Sequence, residues 1–115
     1  MYRLIAATHP GPDRRHPRDN QDAYRFGWIG PYPVLVVCDG VSASPFAAQA
    51  ATLACDAFMD FLEESLHQTA FTPATLSAAV IQAHQRLRSA YPSGQALCTL
   101  AAAVACLDRH EGVFV

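Results

Sequence analysis

The chain has 115 residues, of which 51% are hydrophobic and 16% charged, and a formal net charge of -2. This length suits a single domain, and the composition excludes a disordered chain. Near-neutral charge argues against nucleic acid as a partner, because a phosphate backbone calls for clustered Lys and Arg, and the one basic cluster is Arg14, Arg15 and Arg18.

In chain order, Arg3 to Thr8 (RLIAAT) reads as a short strand, and His9 to Asn20, rich in Pro, Gly, Asp and Arg, as an irregular loop. Ala23 to Ile29 alternates aromatic and other residues, which predicts a second strand. Gly30-Pro31-Tyr32-Pro33 is expected to turn into Val34 to Cys38, an apolar run suited to a strand buried on both faces and stopping at Asp39-Gly40. Ser44-Pro45 supplies an N-cap and the residue favoured at the first helical position. Phe46, Ala50, Leu53, Ala57 and Phe61 then predict one apolar helix face, with the helix running to about His67. Thr72-Pro73 repeats the start signal for a second helix with a Leu76, Val80, Ala83, Leu87 stripe, and Arg86 and Arg88 are placed in its last turn. Tyr91 to Gly94 ends it. Cys98 to Leu107 fits helix or strand by composition; the turn signal at Asp108 to Gly112 and the apolar Val113 to Val115 favour a hairpin.

The longest apolar stretches, Tyr32 to Cys38 and Leu97 to Leu107, are too short to span a bilayer, and Met1 to Pro10 lacks the features of a signal peptide. A cytoplasmic protein with no membrane partner is expected. Cysteines 38, 55, 98 and 106 form no Cys-x-x-Cys pair and sit among Val, Ala and Leu, which predicts small buried hydrophobes and no zinc site. The five histidines also lack ligand spacing.

The chemistry-bearing feature is Asn20-Gln21-Asp22 at a loop-to-strand junction, followed by Asp39-Gly40 at a strand end. Carboxylates held at strand ends suit a hard divalent cation, and a glycine lets its carbonyl approach the ion. The competing reading is an unrelated α/β domain in which Asp-Gly merely turns the chain.

Taken together, Arg18 to Ala23 (RDNQDA), Val34 to Ala51 (VLVVCDGVSASPFAAQAA) and Gly94 to Val104 (GQALCTLAAAV) resemble the metal-dependent type 2C protein serine/threonine phosphatases, in order and separation. The Asp-Gly-Val-Ser-x-Ser version is similar to bacterial members, which act in signalling. The resemblance implies an α+β fold, an α-β-β-α sandwich with a two-metal centre of Mn²⁺ or Mg²⁺ at one end of the paired sheets. It implies hydrolysis of phosphoserine or phosphothreonine in a protein substrate by a metal-activated water. Asp39 would bridge both ions, the Gly40 carbonyl would bind one, Asp22 would hold the nucleophilic water, and Gln21 would occupy the neighbouring water-positioning place.

The chain departs from that pattern at several points. Pro17 stands where the family's phosphate-binding Arg lies; Arg15 and Arg18 flank it, and the choice between them stays open. Val41 replaces the His or Met found after Asp-Gly in many members. The family's later Gly-Asp-Ser-Arg and metal-ligating aspartates have no counterpart before Val115, and Asp108 and Glu111 are poor substitutes. Two divalent ions about 3.5–4 Å apart carry more charge than Asp22 and Asp39 balance. The expectation is therefore an N-terminal part of a single phosphatase-like domain, weakly active or inactive alone. The alternative is a non-catalytic pseudophosphatase or interaction domain of the same fold.

Overall fold

Alternating aromatic and aliphatic residues separated by a Gly-Pro pair build the first hairpin. In a computed structural model that describes Arg3 and residues 5–9, 20–107 and 111–115, strand β1 (Asp22–Ile29) runs antiparallel to β2 (Tyr32–Gly40). Ile29 is opposite Tyr32, so the connection is only Gly30-Pro31, shorter than the predicted four-residue turn. Gly30 has φ +57°; followed by a proline held near −65°, it meets the φ signs of a type II′ turn, which suits the strand twist.

The sheet is completed by β3 (Cys98–Cys106) and β4 (Glu111–Phe114), in the order β1-β2-β3-β4 and antiparallel throughout. The ladder continues to Val115, whose N–H and C=O both bond Ala102. The hairpin reading of the last apolar run therefore holds, with its turn at 108–110 outside the described residues. Asp39 and Gly40 remain in the ladder, opposite Thr99 and Cys98. They form part of a central strand and are not a turn.

Two helices cover one face of the sheet. Helix α1 (Ala47–Leu66) packs on β1, β2 and β3, and α2 (Pro73–Ala90) packs on α1. The core joins Val34, Val36, Cys38, Ala102 and Val104 of the sheet to Ala51, Ala54, Cys55, Phe58 and Leu62 of α1. Each large side chain removed from water there contributes about 1.5–3 kcal/mol. Leu76, Ala79 and Ala83 bring α2 onto α1.

Four local expectations are corrected. Arg3 and residues 5–8 form no strand, and Ile5 is 76% exposed; an apolar run becomes a strand only where a neighbour completes its ladder. Helix α1 starts at Ala47, two residues after Pro45. Ser44 caps nothing: its Oγ donates to the Gln95 carbonyl and accepts from the Leu97 N–H at 3.2 Å, fastening the loop after β2 to the approach to β3. Of the predicted α1 stripe, Ala50 and Ala57 are buried and Phe46, Leu53 and Phe61 half-buried; the buried surface is wider and takes in Ala54, Cys55, Phe58 and Leu62, because this helix is covered by both the sheet and α2. At the end of α2, only Arg88 lies in the last turn. Its start is as predicted, with the Thr72 N–H donating to Thr75 Oγ1 at 3.2 Å.

Candidate metal centre

Strand register decides where the candidate acids meet. Asp22 is the Cα partner of Asp39, and Asp39 is in turn the partner of Thr99. On β2, Val34, Val36 and Cys38 are buried under α1, so the alternating Leu35, Val37 and Asp39 face the other way. One row of the helix-free face therefore reads Asp22, Asp39, Thr99. Like charges directly opposite on adjacent strands are destabilising, and this pair spans an edge strand and a central one.

Gly40 is required by crowding at this point. A Cβ there would lie 2.6 Å from the Ala47 carbonyl carbon and 2.8 Å from the Gln21 carbonyl oxygen, and closer still to the Ala47 carbonyl oxygen. Its φ is not among the positive ones. The Gly40 N–H donates to the Gln21 carbonyl at 2.9 Å, and Ser42 Oγ donates to Gln21 Oε1 at 2.9 Å. Gln21 thus ties the start of β1 to the loop beyond Gly40. The Asp22 N–H donates to Asn20 Oδ1 at 3.0 Å, and Asn20 Nδ2 donates to Thr8 Oγ1 at 3.0 Å.

A groove of about 570 Å³ opens on this face, lined by Asp22, Asp39 and Thr99, by Tyr24, Leu35, Val37 and Ala101, and by residues 5–8. Glu111 opens β4 opposite Cys106, at the far end of β3 from Thr99. Arg15, Arg18 and Asp108 lie outside the described residues. Among the described residues, no group of three or more His, Cys, Asp and Glu side chains converges on one point.

The sequence profile of protein phosphatase 2C matches residues 14–115. The chain belongs to the protein phosphatase 2C family. A crystal structure of a stage II sporulation E family protein from Thermanaerovibrio acidaminovorans shares its fold with TM-score 0.61 and 22% identity. That similarity covers 80% of this chain and 43% of the other, so the phosphatase 2C chain spans less than half of that protein. No curated protein matches the chain.

Within this phosphatase 2C chain, the donor set fits a hard divalent cation in part. It offers two carboxylates at partner positions of adjacent strands, followed on β2 by a closely packed glycine. Thr99 and Ser42 join the site without having been singled out as site residues in the sequence, and Asn20, named there as part of the motif, accepts the Asp22 N–H. Thr99 had one legible signal, a hydroxyl interrupting an apolar strand. The four thiols are free. Hydrogen bonding to Cys55 and Cys98, and then burial, push the Cys38 thiol up from its ordinary range, which keeps it protonated under the sheet. Among the described residues, no helix is long and apolar enough to cross a membrane.

Proposed function

We propose that this chain carries part of the metal-binding half of a protein serine/threonine phosphatase site, acting on phosphoserine or phosphothreonine in a protein substrate. The observation that supports it is the pairing of Asp22 with Asp39 on the open sheet face. Asp22 and Asp39 would hold Mn²⁺ or Mg²⁺, with the Gly40 carbonyl as a further oxygen ligand. When bound, such a metal pair supplies a nucleophilic water near neutral pH and offsets charge on the transferred phosphoryl group.

The chain's own residues set the geometry. The β1–β2 ladder fixes the spacing of the two carboxylates, and the Ser42–Gln21 hydrogen bond orients the segment leading into Asp22. Gln21 would help position water through the remainder of its amide. Arg15 and Arg18 remain the candidate phosphate ligands, from the sequence before Asn20.

Calorimetric titration with Mn²⁺ tests the reading. The 115-residue chain is expected to bind with heat that Asp39→Ala removes. Equal heats from the two proteins would refute it.

A further inference from the structure

The helix-covered side of the sheet holds chemistry that the metal reading leaves unused. Three free thiols gather there from three elements, Cys38 on β2, Cys55 on α1 and Cys98 on β3. They form a chain and do not converge on one point. Cys38 is its middle member, within hydrogen-bond reach of both other thiols, and it is the thiol that Cys98 meets. Cys38 and Cys55 are 2% and 1% exposed. Cys98 is half-buried and lines two cavities of about 160 and 450 Å³, both bounded by His84 and Leu87 of α2, whereas Cys55 lines neither. Even the smaller has room for a molecule a few times the size of water, so a small oxidant reaches Cys98 first.

We propose that Cys98 and Cys38 are an oxidant-responsive pair: hydrogen peroxide oxidises Cys98, and Cys38 closes a disulfide on it that distorts the Asp39–Gly40 end of β2. The Cys98 sulfur attacks a peroxide oxygen, an S–O bond forms as O–O breaks, and the departing hydroxide leaves with the thiol proton as water. Sulfur is oxidised to a sulfenic acid while peroxide is reduced. The Cys38 sulfur then attacks the sulfenic sulfur; S–S forms, S–O breaks, and the Cys38 proton leaves with the oxygen as a second water. Two thiols and one peroxide thus give one disulfide and two waters.

Strand register ties this bridge to the site. Gly40 is the Cα partner of Cys98, and Cys38 that of Leu100, so the two cysteines are diagonal neighbours. Diagonal Cα atoms lie about 7–8 Å apart, beyond the roughly 6.8 Å that a disulfide spans without backbone movement. Closing the bridge therefore shifts β2 against β3 at Gly40, which backbone atoms of Ala47 and Gln21 already crowd. The bonds donated by the Gly40 N–H to Gln21 and by the Val41 N–H to Leu97, 2.9 and 2.8 Å long, take up the movement. Weaker Mn²⁺ binding follows, and that consequence alone rests on the metal reading of Asp22 and Asp39.

Peroxide treatment of the 115-residue chain, followed by peptide mapping without reductant and by amide hydrogen exchange, tests the proposal. Wild type and Cys55→Ser should both yield the Cys38–Cys98 bridge, reversed by dithiothreitol. Cys38→Ser should instead hold Cys98 as a sulfenic acid that dimedone traps. In the bridged protein the Gly40 and Val41 amides should exchange at least about tenfold faster than in the reduced protein. An unoxidised Cys98 in wild type, a bridge made by Cys55 in place of the Cys38–Cys98 one, or unchanged exchange at both amides each overturns the proposal. Mn²⁺ calorimetry separates this pair from the metal reading. Heat from the reduced protein that bridging diminishes supports both, and heat that bridging leaves intact overturns the proposed action on the site. No heat from the reduced protein, beside a bridge and faster exchange, sinks the metal reading and leaves the thiol pair standing.

Discussion

Gly40 has its conformation in common with its strand neighbours, and only the space around it demands a glycine. Backbone atoms of Ala47 and Gln21 occupy the place of a Cβ, and backbone cannot swing aside as a side-chain tip can. Gly40→Ala is therefore expected to lower unfolding free energy by about 3 kcal/mol, measured as the urea midpoint with an unchanged slope; a loss below about 1 kcal/mol would contradict this packing. Ser42 and Gln21 act differently, on orientation. Cys38 and Cys55 lie buried beneath the site while Cys98 and Cys106 are half-buried, so a thiol reagent under native conditions should modify the latter pair first. Faster labelling of Cys38 would contradict the burial that protects it.

Helix α1 is the element that holds the sheet and α2 together, and its fully buried Phe58 and Leu62 carry that role. Phe58→Ala should cost about 3–5 kcal/mol, because the rigid sheet on one side and α2 on the other limit collapse of the cavity. By contrast, Arg25 on β1 reaches Asp56 at 3.3 Å, Asp60 at 3.4 Å and Glu63 at 3.9 Å on the exposed side of α1. Solvent screens such pairs, so Arg25→Ala should cost less than about 1 kcal/mol, and less again in high salt. Much at this scale is legible in the sequence: both hairpins, both helices and the Thr72-Pro73 start follow from local pattern and turn chemistry. What is not legible depends on distant partners. Ser44 looks like a cap but spends its hydroxyl on Gln95 and Leu97, some fifty residues away. The predicted α1 stripe is too narrow, holding the buried Ala50 and Ala57 but missing Phe58 and Leu62, because a helix covered on two sides has no single apolar face. Residues 3–8 have a strand-like pattern and no partner strand among the described residues. The pairing of Asp22 with Asp39 is likewise invisible until the two-residue turn at Gly30-Pro31 sets the register.

At the scale of the whole molecule, the helices cover one face of the sheet, and on the other face the acidic row and the apolar residues beside it line a groove together with residues 5–8. The chain spans 43% of the sporulation protein that shares its fold, and its two opposed carboxylates balance only half the charge of a divalent pair. Turnover of p-nitrophenyl phosphate by the 115-residue chain in Mn²⁺ is accordingly expected to stay near background; robust turnover abolished by Asp39→Ala would show that two acids suffice. The central claim, that Asp22 and Asp39 face each other in order to hold a cation, is tested most directly by comparing urea unfolding of wild type and Asp39→Asn in EDTA and in Mn²⁺. Without metal the variant should be the more stable, by about 0.2–1 kcal/mol, because a like-charge cross-strand pair is relieved. With Mn²⁺ the order should reverse, since the metal binds and stabilises only the folded wild type. An Asp39→Asn protein that is equal to or weaker than wild type in EDTA, and no different in its response to Mn²⁺, would contradict the claim.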